Sequence, residues 1–498
     1  LLPRMIFDLG LNTADIDRHI WIVNAYLIAY LVSIPIVGRL SDRVGRSVAF
    51  QVSFVVFILG SILCATADSL TSLIIARAVQ GAGGGALLPL AMALVGDLVP
   101  RSGRTAALGL VAAADTVGWA MGPIWGAIVI ALPFAGDAAW RAAFWINVPL
   151  SLAAMIGIAI LMPRRASSPA APSGGVDLVG TCFLAAGLTL VSLALSSGGE
   201  IGGALGTGTR AFGGSPNPLA DYLLPLLVAA AVAFVVLVWW ERRAADPIVP
   251  LALFRVPDFA GSVIANFLVG LTIVVAMVNI PLVVALTRSS DDVSTTSALL
   301  LVPFTGFMAL MSWAGGRLAV RLGNRKVAWI GLVLAAAGYA IIWQTLSRDQ
   351  LSLAVRGLTV AGAGFGLVIA PIGASALGVM GAAGRGIGTG LLLVARLLGM
   401  TIGISTLTAF GIRRLQQLTS AVDPIVLRTG ESTAEFLIRQ QQFIEDVAIP
   451  LSVQVIEETF LIAAVVTLLA LLPVAYIAAT DRELDDSTGT PLAPPATD

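Results

Sequence analysis

The chain has 498 residues, of which 57% are apolar and 12% charged, against roughly 45–50% and about 25% in an ordinary soluble domain, so a soluble globular protein is excluded. Lys+Arg and Asp+Glu both total 29, which leaves no basic surface for nucleic acid. One histidine, His19, and two cysteines, Cys64 and Cys182, far apart inside apolar runs, argue against a metal site, a Cys-His nucleophile pair or a disulfide framework.

A bilayer core of about 30 Å requires about 20 apolar helical residues per crossing, and helices are needed because lipid offers the backbone no hydrogen-bond partner. In chain order the apolar runs predict spans at about 19–38, 48–66, 72–96, 106–132, 142–162, 177–197, 221–240, 259–286, 294–316, 327–346, 355–378, 386–410 and 456–479. The fold class is therefore an all-α polytopic membrane protein. Arg39, Arg43, Arg46, Arg104, Arg242, Arg243, Arg317, Arg321, Arg325 and Lys326 fall between spans on one side, which the positive-inside rule makes cytoplasmic. Trp239 and Trp240 beside Arg242 and Arg243 form an aromatic and basic membrane-edge anchor.

An internal repeat organises these spans. Gly38-Arg39-Leu40-Ser41-Asp42-Arg43-Val44-Gly45-Arg46 recurs as Gly316-Arg317-Leu318-Ala319-Val320-Arg321-Leu322-Gly323-Asn324, an offset of 278 residues (316 less 38), so the chain is built of two copied halves. Residues 1–162 form an N-terminal half. Residues 163–257 form a linker carrying two additional spans, residues 258–480 a C-terminal half, and residues 481–498 a cytoplasmic tail. Two spans precede the second copy of the motif and only one complete span precedes the first, so the body of a further helix is expected ahead of Leu1, giving 6+2+6.

That arrangement, with a GRLSDRVGR stretch after the second helix, resembles the major facilitator superfamily in its fourteen-helix drug:proton antiporter branch. Three further stretches match in order: Leu73 to Gly83 with an intramembrane Arg, Gly118-Trp119-Ala120-Met121-Gly122-Pro123-Ile124-Trp125-Gly126, and Trp140 to Pro149. The resemblance implies proton-driven antiport without a cofactor, alternating access, and a cytoplasmic latch made by Gly38, Asp42, Arg43, Gly45 and Arg46, with Asp97 as a further partner. Two glycines in this stretch are expected to shape a tight turn between helices. A solvated topogenic loop is the simpler reading of the same residues. Gly118, Gly122 and Gly126, four apart, share a helix face where backbones approach closely, and Pro123 favours a kink; packing alone is the simpler role there.

Intramembrane charges are the sharpest signal, since a charged group near mid-bilayer costs at least ~2.5–3.5 kcal/mol. Arg77, Asp115 and Arg396 stand inside spans. Asp115 and Arg396 come from opposite halves and are expected to meet across the central cavity as an ion pair that breaks when Asp115 is protonated, with a static packing pair as the alternative.

The last two spans are longer than a crossing requires. Helical pattern runs from Gly386 to about Ser420, and again from a Ser432-x-x-Glu435 capping box to about Ala479, so an outer extension at about 411–455 projects beyond the membrane. Leu437, Ile444, Val447 and Leu451 form an apolar stripe on it, expected either to pack on the preceding helix or to shield a departing apolar substrate. Here the chain is similar to a mycobacterial branch of the superfamily that exports triacylglycerides and lipoglycans and is encoded beside a lipid-binding lipoprotein. The similarity rests on Asp177 to Gly180, the runs 366–371 and 394–400, and Asp115. It implies a monomeric exporter in a bacterial cytoplasmic membrane, with lipid and protons as its ligands and an extracytoplasmic lipoprotein as partner; multidrug efflux is the alternative. No clustered Ser/His/Asp, Cys/His or metal-ligand set supports an enzyme.

Overall fold

The computed structural model describes residues 21–131, 139–161, 177–198, 222–244, 247–287, 293–346, 351–380, 384–420 and 432–477, with Met5. The linker 163–175, His19, the tail and the loops between these ranges lie outside the described residues. The first half contains α1 (Trp21–Val44), α2 (Arg46–Ala65), α3 (Leu70–Gly84), α4 (Leu87–Leu98), α5 (Arg101–Ala131) and α6 (Ala139–Leu161). The inserted pair is α7 (Leu178–Gly198) and α8 (Leu223–Glu241). After a short 3-10 turn come α9 (Pro257–Thr287), α10 (Val293–Leu322), α11 (Asn324–Thr345), α12 (Leu351–Gly378), α13 (Arg385–Thr419), α14 (Thr433–Phe443), α15 (Ile449–Leu469) and α16 (Leu471–Ala475). Among the described residues, 12 stretches are long and apolar enough to cross a membrane, α3 and α4 together making one of them; the 31-residue α5 runs beside them.

The repeated motif is more helical than its sequence suggests. α1 continues through Gly38 to Val44, and α10 through Gly316 to Leu322. The direction change is confined to Gly45 (φ 90°) and Gly323 (φ 86°). These are the only positive-φ residues among those described, and they lie 278 residues apart (323 less 45), at equivalent places in the two copies. A side chain at either φ would clash with its own backbone, so glycine permits a one-residue turn. Of the two glycines expected to shape the turn, only Gly45 does so. Gly38 sits one helical face away, against Gly386 of α13, where an added Cβ would lie 2.5 Å from the Gly386 carbonyl oxygen.

Small residues set the packing elsewhere too, as expected where lipid supplies no hydrophobic force between helices. α12 is the most enclosed element: Gly362 and Gly366 abut the backbone of α10 at Phe304 and Met308, and Gly364 abuts α11 at Ala335. This Gly-rich run is a helix-packing surface. Pro35, Pro281, Pro303 and Pro371 sit inside α1, α9, α10 and α12 without ending them. The inserted α7 packs against α8, α1 and α13, and the Ser405 hydroxyl of α13 donates to the Leu195 carbonyl (3.3 Å). At the cytoplasmic edge the Trp240 indole N–H donates to the Asp177 carboxylate (2.9 Å), and the Arg243 guanidinium lies over the Trp239 ring.

Candidate transport site and its cytoplasmic closure

A partly open cavity lies between the two halves. α1 contributes Tyr30 and Ile34, α4 Leu88, and α5 Asp115 and Thr116. The opposite wall is Ile273 and Met277 of α9, Met308 of α10, Ile369 of α12, and Leu393, Arg396, Leu397 and Met400 of α13. Apart from Tyr30 and Thr116 the wall is aliphatic or thioether, and it carries one acid from the first half and one cation from the second.

Asp115 and Arg396 share this cavity, but the expected direct ion pair is absent in this structure: no contact of 4.0 Å or less joins them. The Arg396 Nε–H instead donates to the Asn266 side-chain carbonyl (3.2 Å). The Nε–H of the guanidinium is thus taken up from within its own half. Arg77 belongs to a separate place. Its Nη1 donates to Gln80 Oε1 (2.5 Å) and its Nε to the Ile22 carbonyl (3.2 Å), and its guanidinium lies 4.1 Å from the Tyr26 ring centroid. Gln80 in turn donates to Ser61 (2.9 Å). Arg77 therefore binds α3 to α1 and α2, and grouping it with Asp115 and Arg396 is corrected. Charge alone made the three look equivalent, although α3 presents Arg77 toward Tyr26, away from the cavity wall. The nearest link is aromatic: Tyr26 and Tyr30 lie one helical turn apart with ring centroids at 5.8 Å.

Beneath the cavity the two halves are tied together. The fully buried Asp42 carboxylate accepts from the backbone amides of Gly386 (3.0 Å) and Ile387 (3.2 Å), the first turn of α13. Gly384 at the N-cap of that helix has no side chain to do this, so the cap comes from the other half of the molecule, where a carboxylate also complements the positive end of the helix dipole. Arg46, likewise buried, pairs with Asp42 (2.6 Å), donates to the Ser41 hydroxyl (2.6 Å), and pairs with Asp97 (2.8 Å). Asp97 also receives Arg385 of α13 (2.9 Å). Arg43 is part-buried at the end of α1. In the second copy Val320 stands where Asp42 is, and the closure is made by backbone approach: Gly316 abuts Thr105 and Gly109 of α5, and the Thr105 hydroxyl lies 3.4 Å from Asn324 Oδ1.

The remaining predicted residues divide. α5 stays helical through Pro123. A Cβ on Gly118 would meet nothing within 4 Å, so close backbone packing at that position is corrected: Gly118 borders open space. Gly122, Pro123 and Gly126 lie on α5, but their side-chain surroundings fall outside the described residues. In the outer extension the capping box is present, with the Glu435 amide donating to Ser432 Oγ (3.3 Å) and the Ser432 amide donating to Glu435 Oε2 (2.9 Å). From Ala434 to Ala475 the chain runs 42 residues, roughly 60 Å at 1.5 Å per residue, with a π turn at Ile444–Ala448 just before Pro450. That wider turn accommodates a residue lacking an amide hydrogen. Arg414 of α13 makes a two-point pair with Glu458 of α15 (2.7 and 2.9 Å). Packing of the whole apolar stripe on the preceding helix is corrected, because Leu437 is 56% and Ile444 46% exposed. Val447 and Leu451 are half-buried. Asn266, Tyr30 and Arg385 were missed from sequence. An amide within the uncharged run 259–286 was the available signal for Asn266.

Two helical halves that each carry one copy of a repeated motif, tied together at one end of a cavity with an acid on one wall and a cation on the other, fit a membrane transporter. The chain belongs to the Major Facilitator Superfamily, whose model matches residues 2–404. It is similar to the triacylglyceride transporter of Mycolicibacterium hassiacum, with 35% identity over 84% of this chain and 76% of that one. With the triacylglyceride transporter of Mycobacterium tuberculosis (strain H37Rv) it shares 34% identity over 86% of this chain and 81% of that one. Among solved structures, the human organic anion transporter MFSD10 matches with a TM-score of 0.58 at 15% identity, over 95% of this chain and 88% of that one; this likeness speaks to the fold alone.

Proposed function

We propose that the protein is a proton-coupled exporter of apolar or amphipathic lipid of the triacylglyceride kind. It would act by alternating access in a bacterial cytoplasmic membrane, as a monomer of the fourteen-helix drug:proton antiporter branch. The observation that carries this reading is the cavity itself: an aliphatic and methionine-lined chamber with Asp115 on one half and Arg396 on the other. An apolar wall favours an apolar cargo through area removed from water, and a half-buried acid opposite a half-buried cation gives protonation a mechanical consequence. A proton on Asp115 removes the charge that attracts Arg396, which changes the preferred spacing of the halves. The gradient then supplies the drive, and no cofactor is needed. The names of the relatives support lipid as cargo. The exposed apolar residues Leu437, Ile438 and Ile444 on the outer helix suit a shielded exit path and a docking site for an extracytoplasmic lipid-binding lipoprotein.

The test is transfer of a labelled triacylglyceride by proteoliposomes under an imposed pH gradient. Export is expected for the parent protein and a loss of at least about tenfold for Asp115→Asn, equivalent to removing about 1.4 kcal/mol of coupling. Gradient-driven export by Asp115→Asn at the parental rate would overturn the coupling. Multidrug efflux is the second reading, favoured by the two cavity charges, which also suit an amphipathic ion. Replacing Leu437, Ile438 and Ile444 together by Ser separates the two: the lipid reading expects lipid export to fall while dye efflux persists, and the efflux reading expects dye transport alone in both proteins.

A further inference from the structure

α9 and α13 touch backbone to backbone. A Cβ on Gly270 would run into the Arg396 carbonyl oxygen, and one on Gly399 into that of Phe267; one on Gly403 would come within 2.5 Å of that of Leu271. The stretch of α13 that bears Arg396 is therefore seated on α9, and the freedom left to Arg396 is that of its side chain. Asn266 of α9 occupies this contact and is 1% exposed. Its Nδ2 donates to the Leu392 carbonyl at 2.6 Å, and its Oδ1 accepts from Arg396 Nε at 3.2 Å. These partners allow one orientation only, because a carbonyl can only accept and a guanidinium can only donate. Leu392, one turn before Arg396, thus aims the amide oxygen of Asn266 at the guanidinium, and the four Nη hydrogens stay free for the cavity.

We propose that Asn266 is the positioning residue of the coupling site: its amide oxygen is the resting acceptor that holds Arg396 on the second half while Asp115 takes up or gives away a proton. The inference rests on the coupling reading above. A half-buried guanidinium that loses its acceptor is destabilised, so without Asn266 the charged partner that the described cavity wall offers Arg396 is the Asp115 carboxylate. The ionised acid is then held more firmly and uptake of the proton requires a more acidic outer medium. A carboxylate at 266 does the reverse, because it neutralises Arg396 within its own half and leaves Asp115 without its attracting charge. The other titratable groups facing this contact are few. Tyr30 of α1 lines the cavity with Asp115; the Tyr339 hydroxyl of α11 is committed to the Thr272 carbonyl (2.7 Å). α7 contributes only the exposed Cys182. Asp258 is about two turns away on α9, and Glu458 of α15 is held by Arg414, roughly 27 Å further along α13.

The experiment is the pH profile of labelled triacylglyceride export by full-length protein in proteoliposomes, for the parent, N266A, N266D and D115N, each first checked for a single monodisperse peak after purification. The half-maximal pH is expected to move acidward in N266A and alkaline in N266D, each by about one unit, the size of a gained or lost charge-assisted hydrogen bond. Opposite displacements support the proposal, since a purely structural defect lowers the rate in both without moving the midpoint in two directions. Midpoints within 0.2 units of the parent, or shifts of the same sign, overturn it, where about 0.2 units is well below one hydrogen bond's effect. If N266D does not accumulate, N266S takes its place: recovery of at least half the N266A displacement supports the acceptor role, and no recovery overturns it. D115N separates the two layers. Parental pH dependence in D115N means the coupling reading has failed; a flat D115N profile with unmoved Asn266 variants means that only the positioning role has.

Discussion

The cytoplasmic closure and the central cavity handle buried charge in opposite ways. At the closure the Asp42 carboxylate is met by two backbone amides and an arginine, and Arg46 divides itself among two carboxylates and a hydroxyl. In the cavity Asp115 and Arg396 stand on facing walls without touching, and Arg396 is held by a neutral amide. A saturated cluster keeps one geometry, because every alternative leaves a buried charge without a partner. An unsaturated pair responds to a single proton. In this structure the first region ties the two halves together, and under the proposed coupling the second is the one that would report protonation.

That contrast can be broken at its strong end first. Asp42→Ala removes the cap of α13 and one of the two carboxylates that meet Arg46, leaving it Asp97 and Ser41, which should cost the closed state about 3 kcal/mol, the low end for breaking a buried pair from one side. Maleimide labelling of single cysteines placed on the cytoplasmic ends of α1 and α13 should then rise sharply, and unchanged labelling would show that the cluster is not what holds the halves. Gly386→Val tests the same closure sterically, since the added side chain meets the Gly38 carbonyl oxygen; overpacking of this kind typically costs about 1–3 kcal/mol and should open the cytoplasmic side to the same probe. A smaller effect is expected at the turn: Gly45→Ala forces a side chain into positive φ at about 1–2 kcal/mol, measurable as a lower melting temperature in detergent. The smallest belongs to the outer extension. Ser432→Ala loses the capping box and about 1 kcal/mol of local helix stability, visible as faster amide exchange over residues 433–440 with export little altered.

The elements themselves were legible because their causes are local. Apolar run length set the spans, and the S-x-x-E box correctly started the last outer helix at Ser432. The 278-residue repeat reappears as the paired turns at Gly45 and Gly323. In sequence the motif between Gly38 and Gly45 also admits a solvated loop because it is rich in charge, whereas α1 runs through it as helix to Val44 with Asp42 buried. Charge inside a span pointed to Arg77, Asp115 and Arg396 alike. Only packing shows that Arg77 serves a helix contact with Tyr26 and Gln80, and that the uncharged Asn266 belongs with Arg396.

By itself, then, the sequence determined which segments cross the membrane, where helices start and turn, and which charges are expensive enough to matter, because lipid and backbone geometry act residue by residue. The tertiary structure decided which of those groups meet. Asp42 finds the amides of α13 from 344 residues away, and Arg396 its amide partner from 130. Such choices depend on which glycine faces let two helices approach to backbone distance, a property of surfaces in three dimensions that no local pattern records.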